Sequence, residues 1–339
     1  MRAAALLPFA LLPSCLSARY EMTFGPAAVL PHQAYLNESL HSWGGSVIET
    51  PSDPLWRFHL YAAAFVEGCG LNAWVSNSQV IHGVSNEAQG PYTFESVALP
   101  VWHHNPAALL HSDGTFLLYS IGMLPEEKVV NCSRAEPARG RHTHGEELMQ
   151  LHSAESPYGP WTLVSANIFN GTNPAPAELP DGSMLVGSHG TDFVVSSAPH
   201  WRGPYAEPVA LFAPEGVVKI EDPFLWFDAA AQRWRVLLHQ YNGTSPHPQG
   251  PVGGVASSNN ASWTSEWTLQ RYDKPVYNLT VGFADGSAVS YSRRERPKLL
   301  LNKTTGAPAV LFTGVCPEGA QSSACYTLSQ PILTSGDVA

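Results

Sequence analysis

The chain has 339 residues, 44% of them hydrophobic, and its 28 glycines and 29 prolines favour many turns and short strands over long helices. The net charge is −10, and the only dense basic group is Arg293, Arg294 and Arg296 with Glu295 among them, which argues against a nucleic-acid partner. This length fits two ordinary domains or one large all-β domain.

The N-terminus is typical of a secretory signal peptide. Met1 and Arg2 precede an apolar run over residues 3–12 that is too short to span a bilayer, and small residues follow. We expect residues 1–18 to be the signal and 19–41 a lead-in, with a buried N-terminal helix as the alternative. No later segment is long and apolar enough to cross a membrane, so we expect a secreted or secretory-lumen protein without a membrane span.

Sequons and cysteines favour the same compartment. Without Cys15 four cysteines remain, which allow three pairings. We favour Cys316–Cys325, which closes a short loop, and Cys69–Cys132 by elimination, with free buried thiols as the alternative. Glycosylation is expected at the seven Asn-X-Ser/Thr sequons, which are Asn37, Asn131, Asn170, Asn242, Asn260, Asn278 and Asn302.

One pattern recurs along the chain: an X-Pro step opens an apolar strand, a turn follows, and a second aromatic-rich strand comes next. The Asp-Gly turns at residues 113–114 and 181–182 are strong hairpin signals. An earlier unit starts at Gly44-Gly45 without the proline. The four X-Pro steps are Asn105-Pro106, Asn173-Pro174, Asp222-Pro223 and Arg296-Pro297.

These units predict an all-β, five-bladed β-propeller over residues 42–332, because each small sheet must stack on its neighbours to bury its faces. A β-sandwich with similar hairpins is the alternative, although a sandwich has no reason to repeat the X-Pro opening. The expected blades span residues 42–98, 102–165, 171–212, 217–270 and 288–332.

With these motifs the chain resembles the five-bladed propeller glycosidases of glycoside hydrolase family 43 and the wider clan that includes families 32 and 117. The resemblance covers roughly residues 42–330. It implies a central funnel that binds a sugar, with carboxylic acids supplied by the first, third and fourth blades. A carbohydrate substrate or ligand is therefore expected.

Glu221 matches the acidic glutamate of that family, which stands two residues before a proline, so we assign it as general acid. Asp222 replaces the family's glycine, and it could instead match the aspartate of the invertase Arg-Asp-Pro motif, which steadies substrate hydroxyls. Neighbouring strand residues point to opposite faces, so one of the two carboxylates should face the substrate. The alternative is that both only bind the neighbouring blade's backbone or arginines.

Two positions depart from the family pattern. Its third-blade aspartate corresponds to Asn173, and its first-blade base falls at Gly44 or Gly45, which have no side chain. Inversion needs an acid and a base on opposite sides of the bond. Among the replacements Glu49, Glu67, Asp192 and Glu295, we favour Glu295, whose alternative role is to pair with Arg294 and Arg296.

The remaining candidates concern ligand and ion binding. Hydrogen-bonding groups and an aromatic platform are typical of sugar sites, and Trp102 and Trp226 are either platforms or core residues. His142, His144 and Glu146 have ligand types but lie in a polar loop, so no metal is assigned, and an axial Ca²⁺ is implied by the resemblance alone. The expected substrate-binding set is His104, Asn105, Asn173, Arg294 and Arg296.

Three functions follow from these features. The first is a secreted glycosidase that cleaves a terminal glycosidic bond by inversion, and we expect it to be a monomer without a cofactor. The second is a carbohydrate-binding pseudoenzyme, because Gly44, Gly45 and Asn173 stand where the family has acids. The third is a propeller used as a protein-interaction platform.

Overall fold

A computed structural model describes residues 20–27, 34–35, 41–123, 128–132, 147–216, 218–242, 252–319 and 324–333. The predicted signal peptide, Asn37 and the group His142, His144 and Glu146 lie outside the described residues. No helix in the described part is long and apolar enough to cross a membrane.

The described residues form five antiparallel sheets arranged as a five-bladed β-propeller, which confirms the predicted fold and rules out the sandwich. A short strand, β1 (Thr23–Phe24), precedes the blades. The first blade contains a 3-10 turn (Leu71–Ala73) and a one-turn helix, α1 (Trp74–Asn77), between its second and third strands. Its strands are β2 (His41–Glu49), β3 (Phe58–Phe65), β4 (Ser78–Ser85) and β5 (Thr93–Leu99).

The next three blades follow the same antiparallel order, from an innermost to an outermost strand. The second blade has β6 (His103–Leu110), β7 (Phe116–Met123), β8 (Glu147–Ala154) and β9 (Thr162–Ser165). The third has β10 (Thr172–Glu178), β11 (Met184–His189), β12 (Phe193–Ala198) and β13 (Val209–Phe212). The fourth has β14 (Val218–Asp228), β15 (Arg233–Asn242), β16 (Gly253–Ser258) and β17 (Trp267–Leu269).

The fifth blade closes the ring with a strand from the other end of the chain. It contains β18 (Thr280–Gly282), β19 (Ala288–Leu301), β20 (Pro308–Pro317) and β21 (Tyr326–Leu333), and β1 pairs with β21 as the outermost strand. Part of the expected lead-in therefore belongs to the fifth sheet. This pairing covers a sheet edge that would otherwise be open.

The innermost strand of every blade has a bulge at the same place. Pairing with the second strand shifts register there, and one residue adopts the left-handed conformation. Proline follows it in four blades because a bulge tolerates a residue that cannot donate to the ladder. The left-handed residues are Gly44 (φ 66°), Asn105 (49°), Asn173 (52°), Asp222 (55°) and Arg296 (57°).

Apolar side chains fill the spaces between neighbouring sheets. Leu60 of the first blade packs in one cluster with Phe312 of the fifth, and Phe193 of the third packs with Trp234 of the fourth. Each blade thus buries its faces only against its neighbours, as the repeat pattern predicts. The stacking brings the five bulges to one end of the central axis.

The two predicted disulfides are confirmed, and glycosylation of the sequons stays a prediction. Both favoured disulfides, Cys69–Cys132 and Cys316–Cys325, are present. Asn242 lies in β15. The sequons whose asparagine is exposed are Asn131, Asn170, Asn260, Asn278 and Asn302.

Candidate functional site

The five left-handed residues meet near the propeller axis, and we call them the floor. The Asn105 amide donates to Asn173 Oδ1, which also accepts from Arg296 Nη1 at 3.1 Å. Arg296 Nη1 lies 3.1 Å from Asp222 Oδ1, and the Arg296 backbone N–H donates to Asp222 Oδ2 at 3.2 Å. Side chains from blades two to five are thereby joined in one polar network.

Gly44 completes the floor on the first blade. A Cβ atom placed on it would lie 3.0 Å from Cβ of Arg296, and one on Gly45 would lie 2.6 Å from the Leu60 side chain. Real Cβ atoms rarely approach other atoms so closely, and Gly44 also has a left-handed φ of 66°. The first blade therefore has no room for a carboxylate at the position where the resembled family has its base.

Asp222 is almost completely buried, with 1% of its surface exposed. Burial acts to raise the pKa of its carboxyl, but Arg296 above all, with His239, His189 and Lys298, holds that pKa below its ordinary value. The carboxylate is therefore ionised and holds the floor together. It is not placed to donate a proton to a ligand.

A lysine lies beneath the floor. The Lys298 ammonium, on the innermost strand of blade five, donates to the carbonyls of Pro223 at 2.8 Å and Pro174 at 3.4 Å. It therefore reaches across the axis to blades four and three. Burial lowers its pKa to about 7, an effect that Asp222 opposes.

Lys298 occupies groups that the axial cation implied by the family resemblance could otherwise use. A divalent ion that used the carbonyls of Pro174 and Pro223 would compete with the ammonium that already binds them. In the described part of the chain, Glu221, Asp222 and His239 also offer ligand atoms within 4.8 Å of one another. Because Arg296 already pairs with Asp222 at 3.1 Å, a further cation there would meet like charge. The described residues therefore do not fit a divalent cation at the axis.

A cavity of about 280 Å³ lies above the floor, at the low end of ligand-pocket sizes. Its charged side comes from blades four and five and comprises Glu221, Arg293, Glu295 and Arg296. Its aromatic side comprises Trp43, Leu71, Trp74 and Ile121, from blades one and two. Asn72, Glu147, Thr172, Asn173 and His189 complete the lining.

Two glutamates occupy equivalent positions on the charged side. Glu221 and Glu295 each directly precede the left-handed residue of their blade. The Tyr241 hydroxyl donates to Glu221 Oε1 at 2.8 Å, and Arg293 Nη1 lies 4.0 Å from Glu295 Oε1. The bulge repeat thus carries both carboxylates to the same cavity.

Four of the predicted site residues line the cavity: Asn173, Glu221, Glu295 and Arg296. Asn173 also hydrogen-bonds to His189 at 2.7 Å, so its amide is held on both sides. Asn105 and Asp222 lie in the floor and not in the lining.

Two predicted substrate-binding residues need correction. His104 is fully buried beneath Trp74 and hydrogen-bonds to Ser78 Oγ at 2.7 Å. Arg294 is 2% exposed and donates to Gln330 Oε1 and to the Asn278 carbonyl inside blade five. Successive residues alternate across the strand, so Arg293 lines the cavity and Arg294 faces the other way.

The other candidates for a base lie outside the cavity lining. Glu49 pairs with Arg57 at 2.6 Å, and Glu67 accepts a hydrogen bond from Asn131. Asp192 lies in the hairpin between β11 and β12.

Sequence reasoning missed several lining residues, notably Trp74. Of the two tryptophans considered as platforms, Trp226 is 2% exposed and belongs to the core, and Trp102 packs beside Val75. Trp74 lies on α1, which interrupts the first blade and has no counterpart among the described residues of the other blades. The signal in the sequence that could have indicated Trp74 is the extra segment between the second and third strands of the first blade.

Comparisons with solved structures agree with the architecture. The catalytic domain of a Coprinopsis cinerea family 62 α-L-arabinofuranosidase matches with a TM-score of 0.61 at 11% identity, over 94% of this chain and 98% of that one. A thermostable family 43 glycoside hydrolase matches with a TM-score of 0.57 at 12% identity, over 91% of this chain and 90% of that one. A family 117 glycoside hydrolase from the marine bacterium Zobellia galactanivorans matches with a TM-score of 0.57 at 10% identity, over 92% of this chain and 89% of that one.

The fold is that of the propeller glycoside hydrolases. No protein-family model and no curated protein matches the sequence. At this level of identity the likeness concerns the fold, and the chemistry must be argued from the cavity.

Proposed function

We propose that this protein hydrolyses the terminal glycosidic bond of a poly- or oligosaccharide by inversion. The observation that carries the proposal is the pair Glu221 and Glu295, which stand at equivalent bulge positions and line one cavity. An inverting glycosidase needs an acid and a base whose carboxyls stand roughly 6.5–9.5 Å apart, with room for a water between them. The small volume favours a terminal sugar over the middle of a chain.

Glu221 acts as general acid in this proposal. Tyr241 donates to Oε1 of Glu221, which leaves Oε2 to carry a proton to the glycosidic oxygen. That oxygen gains the proton as its bond to the anomeric carbon breaks, and the leaving sugar departs as an alcohol. The hydrogen bond from Tyr241 fixes the carboxyl's orientation before the substrate arrives.

Glu295 acts as general base. It takes a proton from a water on the opposite face of the sugar, and the water oxygen bonds to the anomeric carbon. Arg293 supplies a counter-charge beside the carboxylate. Arg296 and Asn173, which also line the cavity, are placed to donate to substrate hydroxyls.

A second candidate is saccharide binding without turnover. Gly44 and Asn173 favour it, because neither can supply the acids that the resembled family has on its first and third blades. The charged and aromatic sides would still bind a sugar. The two functions differ in whether the glutamates are needed for chemistry or only for binding.

The experiment tests purified protein on arabino-, xylo-, fructo- and agaro-oligosaccharides and on aryl glycosides of the same sugars. We expect sugar release, and about 10²- to 10⁴-fold lower kcat in both E221Q and E295Q. An aryl leaving group departs without protonation, so it should rescue E221Q more than E295Q. E49Q, whose carboxylate lies outside the cavity lining, is the matched control.

The outcomes separate the candidates. Binding without sugar release, by wild type and both variants, would replace hydrolysis with the binding function. Release that survives in E221Q and E295Q would refute the assigned roles. If no saccharide binds and a protein co-purifies, the propeller serves as an interaction platform.

We also propose that the protein is secreted, glycosylated and monomeric. The two disulfides support secretion, and the exposed sequon asparagines support glycosylation. Glycosidase digestion of protein from culture medium, followed by size-exclusion chromatography with light scattering, tests all three. A reduced, unglycosylated or oligomeric species would contradict it.

A further inference from the structure

One wall of the cavity is built by an insertion and not by a propeller strand. Residues 66–77, which we call the tethered segment, connect β3 to β4 and contain the 3-10 turn and α1. Leu71, Asn72 and Trp74 of this segment all line the cavity. The other blades have no such helix between their second and third strands in the described part of the chain.

The tethered segment is fastened to the residues that follow β7 in the second blade. The Cys69–Cys132 disulfide joins them covalently, and the Cys132 backbone N–H donates to the Glu67 carbonyl at 3.0 Å. Asn77 is fully buried, donates to the Val130 carbonyl at 2.8 Å and accepts from the Val130 N–H at 3.2 Å. A disulfide and two hydrogen bonds of the Asn77 side-chain amide hold this short segment in a fixed position.

Trp74 is the aromatic residue that this segment brings to the cavity. Its ring packs at 5.0 Å against His104, and part of the ring remains exposed. Trp43, the other indole in the lining, is fully buried. Only Trp74 of the two is accessible to a ligand.

The position of Trp74 matters because the first blade contributes no polar side chain from its bulge. Arg296 fills the space next to Gly44, so no larger residue fits there. Glu221 and Glu295 line the same cavity as Trp74. A ligand in the cavity would therefore meet the indole of Trp74 as well as carboxylates and arginines.

We propose that Trp74, held by the tethered segment, is the stacking platform for the terminal sugar and selects rings that present a C–H face opposite their hydroxyls. Indole rings bind such faces, while the hydroxyls turn to the carboxylates and amides. This inference rests on the proposed saccharide site, but it does not depend on hydrolysis. Trp74 is a specificity-determining residue and takes no part in proton transfer.

The test measures binding in the E221Q background, so that turnover cannot hide affinity. Calorimetric titration with arabino-, xylo-, fructo- and agaro-oligosaccharides should show W74A binding about 10- to 100-fold more weakly, and W74F within a few-fold of the parent. W56A is the matched control, since Trp56 is partly buried in the β2–β3 hairpin at the far end of the blade. Thermal melting checks that each variant is folded.

The tether is tested with C69S/C132S against W56A. We expect the cysteine pair to weaken binding several-fold and W56A to leave affinity near that of the parent, with both proteins folded at the temperature used. Affinity in C69S/C132S equal to that of the parent would refute the positioning role of the tether.

The outcomes also separate this inference from the proposed function. If the parent binds a saccharide and W74A binds it equally well, the platform is refuted while the saccharide site stands. If W74A loses binding but E221Q has unchanged hydrolysis, the platform stands and the catalytic assignment falls. If no saccharide binds the parent, both are refuted.

Discussion

The two sides of the cavity rest on the same backbone but carry different chemistry. On the charged side, the bulge residues Asp222 and Arg296 form a buried ion pair, and the glutamates before them face the cavity. On the aromatic side, the first-blade bulge is Gly44, preceded by the buried Trp43. The repeat fixes where a strand places a residue, and the neighbouring blade decides which side chain fits there.

Arg296 is the residue that links the two sides. Its guanidinium is bound by Asp222 and Asn173, while its Cβ leaves no space beside Gly44. Arg296 therefore stabilises the charged side, and its position excludes a side chain at Gly44 of the first blade. Three substitutions test this dependence, from the largest expected effect to the smallest.

Asp222→Asn should have the largest effect on stability. Asparagine tolerates the left-handed backbone, as at Asn105 and Asn173, but the change leaves Arg296 buried without its carboxylate. Loss of one partner of a buried pair costs about 3–5 kcal/mol. Urea denaturation should show a fall of this size, and under about 1 kcal/mol for the matched control E49Q, whose partner Arg57 is exposed. Equal costs would show that the floor is not held by this pair.

Gly44→Ala should have an intermediate effect, and it tests whether Arg296 limits the side chain at this position of the first blade. A left-handed alanine costs about 1–2 kcal/mol, and the contact with Arg296 adds to that cost. Gly114→Ala is the control, because Gly114 also has a positive φ but a Cβ atom placed on it would have nothing within 4 Å. We expect the free energy of unfolding to fall by about 2 kcal/mol or more in G44A, and by less in G114A. If G44A is no worse than G114A, Arg296 does not limit the first blade.

Lys298→Met should remove a dependence of stability on pH. Burial lowers the pKa of Lys298 from 10.5 to about 7, so the unfolded chain binds more protons between these values. The free energy of unfolding therefore rises with pH, by about 1 kcal/mol between pH 7 and 8 from this group. The difference between wild type and K298M should show this slope, and Lys274→Met, at an exposed site, should leave it unchanged. A slope that persists in K298M would contradict the assignment.

The same protein should not depend on divalent metal, since the Lys298 ammonium already binds the axial carbonyls of Pro174 and Pro223. Melting with and without EDTA should give equal midpoints for wild type. A lower melting midpoint in the presence of EDTA would show that the protein binds a stabilising divalent cation.

Much of the fold could be predicted because its cause is local. X-Pro steps, Asp-Gly turns and alternating apolar residues each act within one blade, and their repetition predicts the number of blades. The sequence could also predict that Glu221 and Glu295 would stand near one another. Both precede an X-Pro step, and the propeller brings such steps to one end of the axis.

The rest of the site depended on contacts between residues far apart in the chain. His104 and Arg294 have the residue types of a sugar site, but packing buries both of them. The role of Trp74 depends on a disulfide to a different blade, and β1 joins a strand that lies at the other end of the chain. No spacing pattern reports such contacts.

The repeating bulged strand, and the side chain that each copy carries to the axis, follow from local preferences, because backbone conformation at glycine, proline and asparagine is a local property. Which of those side chains remain accessible depends on packing between the blades. Asp222 of blade four, for example, is buried because Arg296 of blade five pairs with its carboxylate at 3.1 Å.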